Sequence, residues 1–165
     1  MNIKYFVMDV DGTLTDGKIY MGGEGELLKA FDIKDGCGIK NILIPAEVVP
    51  VIITGRNSRI LENRCRELGI TEVYQGVENK TEKLEELLSK ARCKYDHVAY
   101  IGDDINDLPC MEVIKGTGGI VGCPADAAKE VKAIADFISV RCGGSGAVRE
   151  FIEWMLERQE GIHEF

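Results

Sequence analysis

The sequence predicts an α/β protein, a parallel sheet covered by helices on both faces, and two observations lead there. Short apolar runs alternate with amphipathic stretches along the whole chain, which is the order of strand–helix–strand units. Carboxylates, hydroxyls and glycines cluster directly after the apolar runs, at the strand ends where such sheets bind ligands. The 165 residues are 45% hydrophobic and 29% charged, which suits one soluble domain spanning 1–165. A domain of that size buries roughly 70% of the surface its unfolded chain exposes, enough for a packed core.

The strands expected in order are 3–8 (IKYFVM), 49–53 (VPVII), a weaker one near 72–74, then 97–101 (HVAYI), 117–121 (TGGIV) and 134–138 (IADFI). Each is a short apolar run bounded by turn residues. Helical spacing appears at 36–44, 57–68, 79–92, 105–113, 125–131 and 145–158. In 79–92, Leu84, Leu87, Leu88 and Ala91 recur three and four residues apart while Glu and Lys fill the other face. Residues 17–32 break the alternation. They read as a β-hairpin inserted after the first strand and turning at Gly22-Gly23-Glu24-Gly25. Ile19, Tyr20, Met21, Leu27 and Leu28 are expected to be exposed on it, a surface suited to another subunit.

Composition and charge exclude several classes. A net charge of −8 argues against a nucleic-acid partner. No apolar run approaches the roughly 20 residues of a membrane span. The chain enters a strand-like run at once, with no secretory leader pattern, so a cytoplasmic protein is expected. The cysteines at 37, 65, 93, 110, 123 and 142 form no CxxC pair, and His97 and His163 flank none of them. Reduced thiols are expected rather than a zinc site or disulfides.

Asp9-Val10-Asp11-Gly12-Thr13 follows the first strand, Thr54-Gly55-Arg56 the second core strand, and Gly102-Asp103-Asp104-Ile105-Asn106-Asp107 a later one, while Lys80 opens a helix. Taken singly, each has a plainer use: Asp-Gly ends strands, Gly-Asp-Asp caps helices, and Thr54 is a serviceable N-cap. Jointly they bring carboxylates, a hydroxyl and one ammonium to a single sheet edge. Hard oxygen donors without a His or Cys cluster favour magnesium. A carboxylate beside that ion and a lysine can attack phosphorus, and a second carboxylate can move the proton.

The order DVDGT, TGR, Lys80, GDDxxD resembles the haloacid dehalogenase superfamily. DGTLTDG at 11–17, FDIKDGCGI at 31–39, ITGR at 53–56, ENRCRELGI at 62–70, YQGVENK at 74–80 and GGSGAVRE at 143–150 resemble its small capless branch, typified by 3-deoxy-D-manno-octulosonate 8-phosphate phosphatases. The resemblance covers essentially the whole chain and implies a Rossmann-like, capless fold and a phosphatase acting through an aspartyl-phosphate. It implies Asp9 as nucleophile and metal ligand, Asp11 as general acid/base with its carbonyl on the metal, and Asp103 as the remaining ligand. Asp104 and Asp107 would support the metal site, and Thr54 and Lys80 would hold the phosphoryl group. It further implies a homotetramer, a small sugar-acid phosphate as substrate, and contacts from Asp32, Ile33, Lys34, Asp35, Gly36, Lys40, Gly55, Arg56, Arg64 and Lys80. For Arg64 and Lys40 a solvated helix face is the plainer use.

Arg56 after Thr54-Gly55 resembles the octulosonate branch, where a nonulosonate 9-phosphate branch carries Glu with a nearby Lys. This chain has Arg56 and Glu67. Ser145 stands where many octulosonate phosphatases have Arg. A similar domain fused to sialic-acid cytidylyltransferases serves only assembly in some copies. Such a copy should have lost the nucleophile, the lysine or the metal aspartates, and none is lost here.

Overall fold

The computed structural model describes residues 2–161; Met1 and His163 fall outside that range. Six strands form one sheet in the order β5-β4-β1-β6-β7-β8. They are β1 (Tyr5–Met8), β4 (Val49–Ile53), β5 (Glu72–Tyr74), β6 (Val98–Ile101), β7 (Ile120–Cys123) and β8 (Phe137–Ile138). Every pairing is parallel. The chain builds outward from β1 through β4 to β5, then returns to lay β6 on the other side of β1. That reversal leaves a crevice at the carboxyl ends of β1, β4 and β6.

Strand side chains alternate between two cores. Phe6, Met8, Ile52 and Ile101 face one, with α2 (Arg59–Leu68) and α6 (Ala147–Glu160). Val7, Val51, Ile53 and Tyr100 face the other, with α3 (Lys80–Ala91), α4 (Leu108–Gly116) and α5 (Lys129–Ile134). Fully apolar strands are what a sheet covered on both faces demands. Ser58 Oγ caps α2 at Leu61 N, 3.3 Å, and Asn79 Oδ1 caps α3 at Glu82 N, 3.1 Å. These are the side chains that supply a helix's orphan donors.

The inserted hairpin is present as β2 (Tyr20–Gly22) antiparallel to β3 (Gly25–Leu28), a separate two-stranded sheet. Ile19, Met21, Leu27 and Leu28 are exposed as expected. Tyr20 is not: it is half-buried, and its hydroxyl donates to Asp16 Oδ2 at 3.1 Å.

The later elements sit further along the chain than the periodicity placed them. Helix α4 continues to Gly116 because Ile114 is buried. β7 begins only at Ile120, after a turn in which Gly119 lies so close to the backbone of Tyr95 and Val98 that a Cβ would overlap it. Residues 125–128 form a turn ahead of α5: Ala127 N donates to Pro124 O at 3.2 Å, while Ala125 N donates to Arg141 O and Ala128 N to Asp103 O, both at 2.8 Å. The expected helix at 36–44 is α1 (Ile33–Cys37) followed by a π-helical stretch over Gly38–Leu43. There Ile44 N reaches back five residues to Ile39 O at 3.1 Å. Ile39 and Leu43 both lie in the core, and Gly38 admits Arg149 of α6.

Candidate active site

Asp9 follows β1, Thr54 follows β4 and Asp103 follows β6, so the sheet order alone puts the three side by side. Asp9 N donates to Ile101 O at 3.1 Å, which extends the β1–β6 ladder by one bond and sets the height of the carboxylate. The chain then turns through Gly12 at φ 90, a left-handed conformation that glycine adopts without strain. A Cβ at Gly12 would overlap the Asp103 carboxylate, and one at Gly102 would overlap Asp107. These two glycines let the acidic side chains pack against backbone. Thr13 Oγ1 donates to Asp103 Oδ1 at 3.2 Å.

Lys80, the first residue of α3, is buried with its ammonium 2.8 Å from Asp9 Oδ1 and 2.9 Å from Asp107 Oδ1. Tyr100 also donates to Asp107 Oδ1, at 2.6 Å, while Asp107 Oδ2 accepts from Asp103 N at 3.0 Å and Asp104 N at 3.2 Å. Four donors use the acceptor positions of Asp107. It therefore holds the lysine and the Asp103–Asp104 turn in place. Asp104 caps the next turn through Ile105 N at 2.8 Å.

Oxygens of Asp9, Asp103 and Asp107 lie within 4.8 Å of one another. Burial and then Asp107 push the Asp9 carboxyl above its ordinary value, against the pull of Lys80. Burial, with Asp9 and Asp107 close by, lifts Asp103 to about 8. Burial works against the charge on Lys80, yet Asp9 and Asp107 more than offset it and raise its pKa. With all three carboxylates ionised, as cation binding requires, they exceed the one ammonium by two charges, which a divalent cation balances. The donors are all hard oxygens, so the residues fit magnesium.

A second ring of charges lies around Asp11. Lys29, at the exit of the hairpin, sits 2.6 Å from Asp11 Oδ1 and 3.0 Å from Glu26 Oε2. Burial opposes its charge, and bonds to Asp11 and Glu26 restore it, so its pKa is raised. Glu26 Oε1 accepts from Ser58 Oγ at 2.6 Å. Arg56 approaches Asp11 Oδ2 at 4.0 Å and Glu26 Oε2 at 3.8 Å, with nearly half its side chain exposed to the crevice mouth. Gly55 leaves the turn after Thr54 open, its nearest neighbour to a Cβ being Val77 O at 3.7 Å.

The other expected substrate contacts are not gathered here. Asp32 caps α1, accepting from Lys34 N at 2.7 Å, and Ile33 is 80% exposed beside it. Asp35 is buried and accepts from Arg149 N at 3.0 Å, replacing the side-chain cap that Gly146 cannot give α6. Gly36 admits the Arg64 guanidinium, which lies over the Phe31 ring and pairs with Glu67 at 3.2 Å. Lys40 donates to Glu67 O at 2.9 Å. Among the described residues no hydrogen bond or ion pair joins Asp35, Lys40 or Arg64 to the acidic cluster. Helix packing claims these three side chains first. Glu67 likewise faces Arg64 and Lys40 rather than Arg56. Lys34 and Ser145 line a separate cleft with Arg141 and Arg149.

Lys29, Glu26, Ser58 and Tyr100 went unread in the sequence. Only Tyr100 had a signal: a hydroxyl in a fully apolar strand needs a partner.

A parallel sheet with an Asp after its central strand, a lysine at the opening of a helix and an acidic turn after the neighbouring strand defines a hydrolase of the haloacid dehalogenase fold. The haloacid dehalogenase-like hydrolase model matches residues 66–152, and the chain belongs to that family. It is 43% identical over 163 residues to the 3-deoxy-D-manno-octulosonate 8-phosphate phosphatase KdsC of Escherichia coli strain K12, covering 99% of this chain and 84% of that one. The crystal structure of the corresponding phosphatase from Yersinia pestis superposes with a TM-score of 0.89 at 43% identity, over 96% of this chain and 83% of that one. The Moraxella catarrhalis phosphatase, solved with magnesium, phosphate and a KDO molecule, superposes with a TM-score of 0.88 at 38% identity, over 96% and 88%.

Proposed function

We propose that this protein hydrolyses 3-deoxy-D-manno-octulosonate 8-phosphate through an aspartyl-phosphate on Asp9, acting as one domain in a homotetramer. The observation that carries the reading is the buried Lys80–Asp9–Asp107 bridge beside Asp103, at the crevice the sheet order creates. Identity to the octulosonate phosphatases over nearly the whole chain supports the substrate.

Asp9 is the nucleophile. Its carboxylate oxygen attacks phosphorus, and the sugar oxygen leaves with a proton from Asp11. Asp11 then takes a proton from water, which attacks the aspartyl-phosphate, releasing inorganic phosphate and restoring Asp9. Lys80 and Thr54 hold the phosphoryl oxygens in line, each such donor being typically worth about 10²–10³ in rate. Magnesium, held by Asp9, the Asp11 carbonyl and Asp103, would supply positive charge to the phosphoryl group as it transfers. Arg56 is placed to grip the sugar-acid carboxylate.

The exposed hairpin residues Ile19, Met21, Leu27 and Leu28 support assembly into a tetramer. Substrate recognition by Lys40, Arg64 and the 32–36 segment would then depend on neighbouring protomers. Steady-state rates on octulosonate 8-phosphate and nonulosonate 9-phosphate, measured side by side, test the substrate: a higher kcat/KM on the nonulosonate overturns it. Asp9→Asn should abolish turnover with the fold intact, and residual activity within tenfold of the parent removes Asp9 as nucleophile.

A further inference from the structure

A lysine on a surface hairpin ordinarily keeps its ammonium in water, and Lys29 does not. Its side chain is only 5% exposed, and its ammonium bonds Asp11 and Glu26. Glu26 is in turn fixed by Ser58, the residue that caps α2. A chain of charges thus runs from the start of α2 through Glu26 and Lys29 to one oxygen of Asp11.

We infer that Lys29 is a positioning residue for Asp11: it pins Oδ1 and leaves Oδ2 aimed at the leaving group. An Asp side chain has two torsions and two equivalent oxygens, so an unpinned carboxylate spends much of its time turned away from the oxygen it must protonate. The 2.6 Å contact to Oδ1 removes that freedom. Among the described residues no side chain hydrogen-bonds Oδ2, and Arg56 lies 4.0 Å from it, beyond hydrogen-bond reach. Proton transfer depends on such placement as much as on the acid itself. The inference rests on the phosphatase reading and on Asp11 as the general acid.

The test compares kcat/KM for phenyl phosphate, whose phenolate needs a proton to leave well, with that for p-nitrophenyl phosphate, whose nitrophenolate leaves unassisted. Neither ester has a carboxylate, so loss of a substrate contact is separated from loss of acid placement. Because kcat/KM reports steps up to departure of the alcohol, water activation does not enter. Lys29→Met should lower the phenyl phosphate value at least tenfold more than the p-nitrophenyl phosphate value, and Lys29→Arg should recover most of the difference. Glu26→Gln, which loosens the anchor while keeping the ammonium, should show the same selective loss in smaller measure. Equal losses on the two esters in both Lys29→Met and Glu26→Gln overturn the inference alone. A parent enzyme inactive on every phosphate ester overturns the phosphatase reading and this inference with it.

Discussion

Asp35 and Arg56 show how differently two charged residues from neighbouring motifs are used. Asp35 lies under the start of α6, and burial lifts its carboxyl from 3.8 to about 6, despite the amide of Arg149 that favours its charge. The folded state therefore binds this proton more tightly than the unfolded chain does. The stability it contributes is full below about pH 4 and is lost as pH rises through about 6. Asp35→Asn keeps the acceptor for Arg149 N and removes the buried charge. Urea unfolding of the variant at pH 4 and pH 7.5 should show less loss between the two than the parent shows, by roughly 1–3 kcal/mol. An unchanged difference would mean that Asp35 stays ionised throughout. Among the described residues the Arg56 guanidinium makes ion pairs of 3.8 and 4.0 Å and no hydrogen bond, which leaves it available to a ligand. Arg56→Ala should cost about 1.5–3 kcal/mol in kcat/KM on octulosonate 8-phosphate and little on an aryl phosphate. Equal losses on both would place Arg56 at the phosphoryl group instead.

Among the elements, the 142–146 loop before α6 does more than connect. Gly144 N donates to Thr13 O at 3.1 Å, and Gly143 N to Asp126 Oδ1 at 2.9 Å. A Cβ at Gly143 would overlap the carbonyl oxygen of Gly12. The loop therefore braces the turn that carries Asp11 and cradles Asp103. Gly143→Ala forces backbone against backbone, where no flexible side chain can yield. It should destabilise the fold by about 1–3 kcal/mol, seen in thermal unfolding, and slow turnover as the Gly12 turn shifts. Parent-like stability and rate would show that the loop gives way freely. The π-helical turn at Gly38–Leu43 belongs to the same scale: its register follows from α6 packing above it, and nothing in the local residue pattern distinguishes it from an ordinary helix.

For the whole molecule, the main electrostatic cost is three carboxylates gathered within 4.8 Å around one lysine. Magnesium relieves it only in the folded state, so binding should stabilise the protein. At a hundredfold excess over the dissociation constant the gain is about 2.7 kcal/mol, readable as a rise in Tm. Chelation should abolish activity, magnesium should restore it, and calcium should restore little, since it favours more ligands at longer distances. Full activity in excess chelator would mean the carboxylates serve another purpose. Assembly is testable at this scale too. Leu27→Glu on the exposed hairpin should shift sedimentation from tetramer toward smaller species, and a parent that sediments as an active monomer at micromolar concentration removes the tetramer.

Asp9, Thr54, Lys80 and Asp103 were legible from the sequence because each marks the end or start of an element whose periodicity is local. Once strands and helices are placed, a parallel sheet brings such ends together without further information. The inserted hairpin was legible for the same reason, from its glycines and flanking apolar residues. Tertiary structure alone decided the rest. Lys29 is bonded to Asp11 because the hairpin folds back across 18 residues, a pairing that neither segment announces. Asp35 is turned from the crevice to the start of α6, 114 residues away, because that helix begins at a glycine and lacks a cap of its own. Ala125 and Ala128, in the turn ahead of α5, are tied to the carbonyls of Arg141 and Asp103. In each case the winning partner is remote in sequence, and a hydrogen bond or buried charge there outweighs the few tenths of a kcal/mol that separate local propensities.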